Sequence, residues 1–292
     1  MAEQRRKSVL ITGCSEGGTG NALAKEYCGH GFHVFATARR IEAMQNLALL
    51  NGITLIQLDV TSIPSVSSVL QTVSEILERE NMSLNILVNN AGVSSVIPTV
   101  DMPLQASHNI IQTNLLGPMN MVHYFMPLLL RAASSPDGNV CIVNTGSVAG
   151  LLPLVGASYN ASKAALKMWS DSLRLELEPL NIRVLHLAMG FIDTSMWGRA
   201  RESLPAGSRY ASIENLLVDH RLSFRQNSMS TSQFAQRVVS VSSKTNPPTT
   251  LYIGKGAFRY WVISWLLPQW LRDYEISRSL GLWGLGAALR KA

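Results

Sequence analysis

A hydroxyl, a phenol and an ammonium lie within one short stretch of the chain: Ser147 opens Ser147-Val148-Ala149-Gly150, and Tyr159-Asn160-Ala161-Ser162-Lys163 follows. Helix-forming residues run on from Tyr159, so Tyr159 and Lys163 are i and i+4 on one helical face. A free phenol titrates near ~10 and is a poor acid-base group at neutral pH; a cation held beside it favours the phenolate and lowers that value. The pair therefore suits proton exchange in an alcohol–carbonyl interconversion, with Ser147 placed to hydrogen-bond the same oxygen. Tyr-x-x-x-Lys by itself describes an ordinary amphipathic helix, and the elements around it decide its meaning.

Those elements alternate. Residues 8–12 form an apolar strand, followed by the loop Gly13-Cys14-Ser15-Glu16-Gly17-Gly18-Thr19-Gly20 and a helix from Asn21 to Cys28. Strand, glycine-rich turn and helix make a site where backbone N–H groups and a helix N-terminus meet a pyrophosphate. A second strand, 32–38, ends in Arg39-Arg40 with no acid nearby. An acid at this distance from the loop suits a ribose 2′-hydroxyl and an arginine a 2′-phosphate, so NADP is expected over NAD. Strand 54–58 leads to Asp59-Val60 and a helix from Pro64 to Arg79. Strand 85–88 delivers Asn89-Asn90-Ala91-Gly92, and residues 104–133 read as one long helical stretch containing Asn114. Strand 140–144 leads to Ser147, the helix 159–178 follows, and strand 183–188 ends at Met189-Gly190-Phe191-Ile192-Asp193-Thr194. Such alternation predicts an α/β fold: a doubly wound parallel Rossmann sheet with helices on both faces.

Composition narrows the classes. The 292 residues are 47% apolar and 15% charged, with net charge +6 and no long basic block, which speaks against nucleic acid. Three scattered cysteines suggest neither a disulfide framework nor a metal site. The first residues carry no secretory pattern, and no apolar run reaches the ~18 residues of a spanning helix.

Taken together, residues 7–195 resemble the short-chain dehydrogenase/reductase family. Thr12-Gly13…Gly18-Thr19-Gly20 is similar to its cofactor loop, Asn90-Ala91-Gly92 to its Asn-Ala-Gly motif, and Asn114, Ser147, Tyr159 and Lys163 to its catalytic tetrad. The resemblance implies a bound NADP(H) held by Gly13, Ser15, Gly18, Thr19, Gly20, Arg39, Asp59, Val60, Asn90, Ala91, Gly92, Tyr159, Lys163, Ile192 and Thr194. It implies Tyr159 as the acid-base group, Lys163 lowering its pKa and holding the nicotinamide ribose, Ser147 orienting the carbonyl, and Asn114 anchoring a water relay. Two departures stand out: four residues separate Gly13 from Gly18 where the family usually has three, and Met189 replaces the usual proline before Gly190.

The rest bears on substrate. Residues 195–230, within a Rossmann domain taken as 1–250, are expected to form a lid, with apolar Met196, Trp197, Leu204, Leu216, Leu217, Leu222 and Phe224 and basic Arg199, Arg201 and Arg209. They suggest a small lipophilic substrate with an anionic part, or simply lid packing and solvated arginines. A tail, 251–292, carries three tryptophans between Tyr260 and Leu271. Its segment 258–272 suits contact with a membrane interface, the chain's own pocket or a partner subunit. The loop, the Ala-Thr-Ala-Arg-Arg segment and the tail resemble the fungal NADPH-dependent 1-acyldihydroxyacetone-phosphate reductase group. That resemblance implies a ketoreductase at the endoplasmic reticulum or lipid droplets, with a homodimer or homotetramer as the family's habit. Alternatives are a tailoring ketoreductase of secondary metabolism and a non-redox cyclase, isomerase or scaffold.

Overall fold

Val9, Leu10 and Ile11, and Val34, Phe35 and Ala36, have no exposed surface. Strands buried on both faces belong to a parallel sheet with helices above and below. The computed structural model describes residues 5–95, 97–135, 138–195, 204–225, 228–283 and 285. Seven parallel strands form the sheet: β1 (Arg6–Thr12), β2 (His33–Ala38), β3 (Ile53–Gln57), β4 (Met82–Asn89), β5 (Val140–Thr145), β6 (Ile182–Met189) and, after a separate short pair of β7 (Ile192–Asp193) and β8 (Met229–Ser230), β9 (Thr250–Ile253). Their spatial order is β3-β2-β1-β4-β5-β6-β9. The order reverses between β1 and β4, so the crevice beyond their C-terminal ends is where a ligand enters such a sheet.

On one face, α1 (Thr19–Gly29) and α7 (Thr231–Ser242) bury Leu23, Tyr27, Phe234 and Val238. The Tyr27 and Ser242 hydroxyls join these helices at 2.6 Å. On the other, α2 (Ile63–Arg79), α4 (Gly117–Ala133) and α5 (Ala157–Leu177) bury Val66, Val73, Phe125, Leu129 and Leu173. The Ser62 hydroxyl caps α2 by accepting from the Ser65 N–H at 3.4 Å. Together these make the expected doubly wound α/β fold. Among the described residues no helix is long and apolar enough to cross a membrane.

Two expectations change. The stretch 104–133 is not one regular helix: α3 (Leu104–Ile111) and α4 are joined by a π-helical turn, Gln112–Leu116, with Asn114 inside it. In addition, β9 pairs with β6 from His186↔Thr250 to Met189↔Ile253. The tail placed at 251 therefore starts inside the sheet, and α8 (Ala257–Leu266) and α9 (Gln269–Ser279) follow it. The lid contributes a short 3₁₀ turn, Ala211–Ile213, and α6 (Glu214–Arg225).

Candidate active site

The glycine loop is shaped by backbone proximity. Gly13 has φ +77°, and a Cβ there would lie 2.8 Å from Ala91 Cα. Asn90 staples the loop to β4: its side-chain amide donates to the carbonyls of Thr12 (2.9 Å) and Gly13 (3.0 Å), and its Oδ1 accepts from the Thr19 hydroxyl at 2.8 Å. The Thr12 hydroxyl in turn accepts from the Asn90 and Ala91 N–H groups at 3.0 and 2.9 Å. Asn90 and Ala91 thus both bind the loop in place and border the cleft.

The four-residue glycine spacing is resolved by Ser195. Gly17 (φ +74°) turns toward it, and the Ser195 N–H donates to the Gly17 carbonyl at 3.0 Å. Gly13 and Gly18 line the cleft, while Gly17 ties the loop to the segment after β7. At Gly20 a Cβ would overlap the Gly13 carbonyl and the Asn90 amide. Its role is to let α1 pack beneath the loop. Gly20→Ala is expected to raise the Kd for NADPH at least tenfold and to lower Tm, read by fluorescence titration and thermal melting. Wild-type affinity in the variant would remove that role.

The cleft has a volume of about 1210 Å³ and runs over Gly13, Ser15, Gly18 and Thr19, past Arg39, Asp59 and Val60, to Asn90, Ala91, Gly92 and Thr194. Arg39 stands exposed just beyond β2. Asp59 Oδ1 accepts from the N–H and hydroxyl of Thr61 at 2.9 and 2.7 Å, which fixes the turn after β3. Val60 abuts the start of α4, where only a glycine at 117 leaves room. The Ile192 side chain is 3% exposed and packs in the core, and its pairing with Met229 sets the segment that brings Thr194 to the cleft.

Residues of the tetrad converge behind Gly92. Lys163 is buried and donates to the Thr145 carbonyl at 2.7 Å. Its Nζ lies 5.8 Å from the Tyr159 ring centroid and borders Gly92, which also borders Asn114 Oδ1. The Asn114 side chain accepts from the Val93 N–H and donates to the Val93 carbonyl, both at 2.9 Å, and donates to the Ser162 hydroxyl at 3.0 Å. A π turn shifts the helical hydrogen-bond ladder at this residue, as such turns often do at functional sites. Ser162, in turn, donates to the Tyr159 carbonyl at 2.7 Å. Ser162 and the Thr145 carbonyl are positioning groups that motif reading passed over. Only the helical facing of Ser162 between Tyr159 and Lys163 signalled one of them.

Met189, the departure at the end of β6, extends the ladder by pairing with Ile253. The next residue, Gly190, donates to the Ile253 carbonyl at 2.8 Å, and the Lys255 carbonyl fills the space a Cβ would need. Losing proline therefore leaves an N–H inside a strand, and the glycine keeps its role by close approach.

Electrostatics correct the expected phenolate. Burial pushes the Tyr159 pKa up, and the hydrogen bond with Ser147 opposes this only in part. Desolvation pulls Lys163 down to about 8, and its proton is directed at the Thr145 carbonyl rather than the phenol. The protein alone thus holds Tyr159 as a neutral acid and Lys163 as an ammonium below about pH 8. A proton-donating Tyr159 beside a charged Lys163 suits carbonyl reduction. Ketone-directed kcat/KM, which reports the free enzyme, is expected to be flat on the acid side and to fall as pH rises through about 8. A rate rising through that range would contradict this assignment.

Nearby, a buried polar chain runs from Asn89 through Asn144 (2.8 Å) and Ser170 (3.0 Å) to His186 (3.4 Å). Burial lowers His186 to about 3, so it is neutral at working pH and acts as a packing and hydrogen-bonding group. Among the described residues no cluster of three or more His, Cys, Asp or Glu forms a metal site.

Of the lid residues singled out, Met196, Trp197, Arg199 and Arg201 lie outside the described residues, as do the side chains of Leu222 and Phe224. Leu217 is buried, Leu216 half-exposed and Arg209 exposed. The Leu204 N–H donates to Glu214 Oε1 at 2.8 Å, and the Ser208 hydroxyl donates to Asp101 Oδ2 at 2.6 Å, fastening the lid to the loop before α3.

The residues present fit a nicotinamide dinucleotide. The glycine cradle opens onto the N-terminus of α1, an arginine replaces the ribose-binding acid, and the cleft passes over Gly92, the residue that borders Lys163 and Asn114. The family model of short chain dehydrogenases matches residues 7–205. A short-chain dehydrogenase of Penicillium ochrochloron is 38% identical over 95% of this chain and 99% of its own. An NADPH-dependent 1-acyldihydroxyacetone phosphate reductase of Schizosaccharomyces pombe is 37% identical over 75% of this chain and 72% of its own. Among solved structures, a short-chain dehydrogenase from Streptomyces avermitilis has a TM-score of 0.74 at 25% identity, covering 95% of this chain and 99% of that one. An NADPH-bound carbonyl reductase from chicken fatty liver has a TM-score of 0.60 at 27% identity, covering 66% and 82%. With its switch-point cleft and the four residues behind it, this chain belongs to the short-chain dehydrogenase family and is an NADP-dependent oxidoreductase.

Proposed function

We propose that the protein is an NADPH-dependent ketoreductase of a lipophilic substrate. The observation that carries this reading is the buried Lys163, fixed to the Thr145 carbonyl beside a protonated Tyr159 that Ser147 hydrogen-bonds. A reduced nicotinamide bound in the cleft supplies the hydride. Ser147 and Tyr159 hold the carbonyl oxygen where negative charge develops, and Tyr159 delivers its proton there. Lys163 stabilises the charge left on the phenol, and Asn114 keeps the wall beside Lys163 in register. An intact tetrad argues against the cyclase, isomerase or scaffold reading.

Two substrate classes follow. An acyl-dihydroxyacetone-phosphate-like lipid, reduced at the endoplasmic reticulum or lipid droplet, is supported by the Schizosaccharomyces pombe relative. A neutral ketone of secondary metabolism is favoured by a specific observation. The cleft wall is apolar at Ile97, Met102, Ala106 and Ile110, and the described lid arginine, Arg209, is exposed to solvent. NADPH consumption by the purified protein, with the phosphate ester and with phosphate-free lipophilic ketones, separates them. Turnover confined to the ester assigns the first class, and turnover confined to neutral ketones the second. Tight NADPH binding with no turnover of either, in either direction, would overturn the ketoreductase reading.

A further inference from the structure

In α8 an apolar helix has little of the protein to pack against. Of its ten residues, Ala-Phe-Arg-Tyr-Trp-Val-Ile-Ser-Trp-Leu, only Ala257 is buried. Phe258 is 64% exposed, Trp265 77%, Leu266 62%, and Trp270 at the start of α9 70%. Phe258 packs at 5.4 Å on the Trp261 ring, which in turn packs on Tyr252 at 5.2 Å, and Arg272 Nη1 donates to the Ser264 carbonyl at 3.1 Å, bracing α9 against α8. Beside this ridge lies a groove of about 810 Å³ between α7, β9 and the first turn of α8. Arg237 and Arg259 line it together with Gln233, Gln236 and Ser240, and among the described residues no carboxylate does.

We propose that α8, Trp270 and this groove seat the protein on an anionic membrane surface, with lipid phosphates at Arg237 and Arg259 and the aromatic ridge at the level of the headgroups. Charge and shape support this occupant. A helix of ten residues rises about 15 Å, half of a ~30 Å hydrocarbon core, so it lies along the interface and does not span. Tryptophans with neighbouring arginines are favoured at that depth. A second copy docked face to face by a twofold axis would set a groove holding two cations and no anion against its own image. An anionic bilayer offers the complementary charge.

The surface also adjoins the substrate side. Past α9, Leu280 and Leu285 are buried against Ile213 and Leu217 of the lid, in contact with Val155, four residues before Tyr159. Gly281 (φ +71°) brings the backbone so close to Leu216 that a Cβ would lie 2.7 Å from its Cδ1. The membrane-facing unit is therefore continuous in packing with the lid. Binding to lipid does not depend on the reaction and is measured without substrate, so its failure leaves the ketoreductase reading intact.

The test is flotation of the full chain with vesicles of phosphatidylcholine alone and of phosphatidylcholine with phosphatidic acid or phosphatidylserine. Expected is binding to both anionic mixtures that weakens with salt. The pair R237Q/R259Q is expected to weaken it roughly 30-fold, from about a fivefold contribution per arginine. Trp265→Ser with Phe258→Ser is expected to abolish it, while all variants keep NADPH affinity as evidence of folding. Y159F is expected to bind as wild type. Absence of binding to anionic vesicles would overturn the proposal, as would binding indifferent to these substitutions. Concentration-dependent dimerisation lost in Trp265→Ser, without vesicle binding, would assign the face to a second copy instead.

Discussion

Tyr159→Phe is expected to lower kcat for ketone reduction by roughly 10²–10⁴-fold, the range a positioned acid contributes. The substitution removes one hydroxyl and keeps the ring, so packing beside Lys163 on α5 is undisturbed. NADPH affinity should stay within a factor of about two, because the glycine cradle, Arg39 and Lys163 are untouched. Fluorescence titration and single-turnover reduction read the two quantities separately. Activity within tenfold of wild type would take the proton-donor role from Tyr159. Loss of NADPH binding would instead assign the phenol to the cofactor site.

Arg39→Ala carries the second large effect. A hydrogen bond to a charged group contributes about 1.5–3 kcal/mol, and exposure of Arg39 in the cofactor-free protein places it toward the lower half. The KM for NADPH is expected to rise roughly 10–50-fold, while that for NADH, which lacks the 2′-phosphate, changes about twofold at most. Steady-state kinetics with both cofactors check this. Equal changes for the two would move the phosphate to another cation, and Arg40, adjacent in sequence, would be next to test.

Much of the site was legible because its groups are local. The glycine loop, Asn90-Ala91-Gly92, and Tyr159 four residues before Lys163 each occupy a single turn, and alternation of apolar strands with helices places those turns at one sheet edge. What escaped depends on contacts distant in sequence. Thr250–Ile253 is only four residues long, and its place in the sheet comes from pairing with β6, more than sixty residues earlier, rather than from its own pattern. The π turn around Asn114 has no signature that distinguishes it from regular helix, and its side chain is fixed by Val93 and Ser162 from two other segments. Ile192 sits beside Thr194 in sequence, yet pairing with Met229 turns it into the core.

The Tyr159 shift runs opposite to the one helical spacing predicts, for a related reason. Helical spacing places a cation near the phenol, but it does not say how far both groups are removed from water or that Thr145 offers Lys163 a closer acceptor. Spacing gives proximity, whereas burial decides protonation. The tail presents the opposite case. Its tryptophans were visible at once, and only the packing of Leu280 and Leu285 against the lid separates the part that docks on the protein from the part left facing outward.

Hydride transfer to a ketone carbon is tested most directly by isotope. NADPH carrying deuterium at the nicotinamide C4 would be incubated with the purified protein and a lipophilic ketone, and the alcohol examined by mass spectrometry. One deuterium on the carbinol carbon, delivered from one face only and absent from the Tyr159→Phe reaction, is the expected result. Bound NADPH with no label transferred to any phosphate-bearing or neutral ketone, or label arriving equally with Tyr159→Phe, would contradict it.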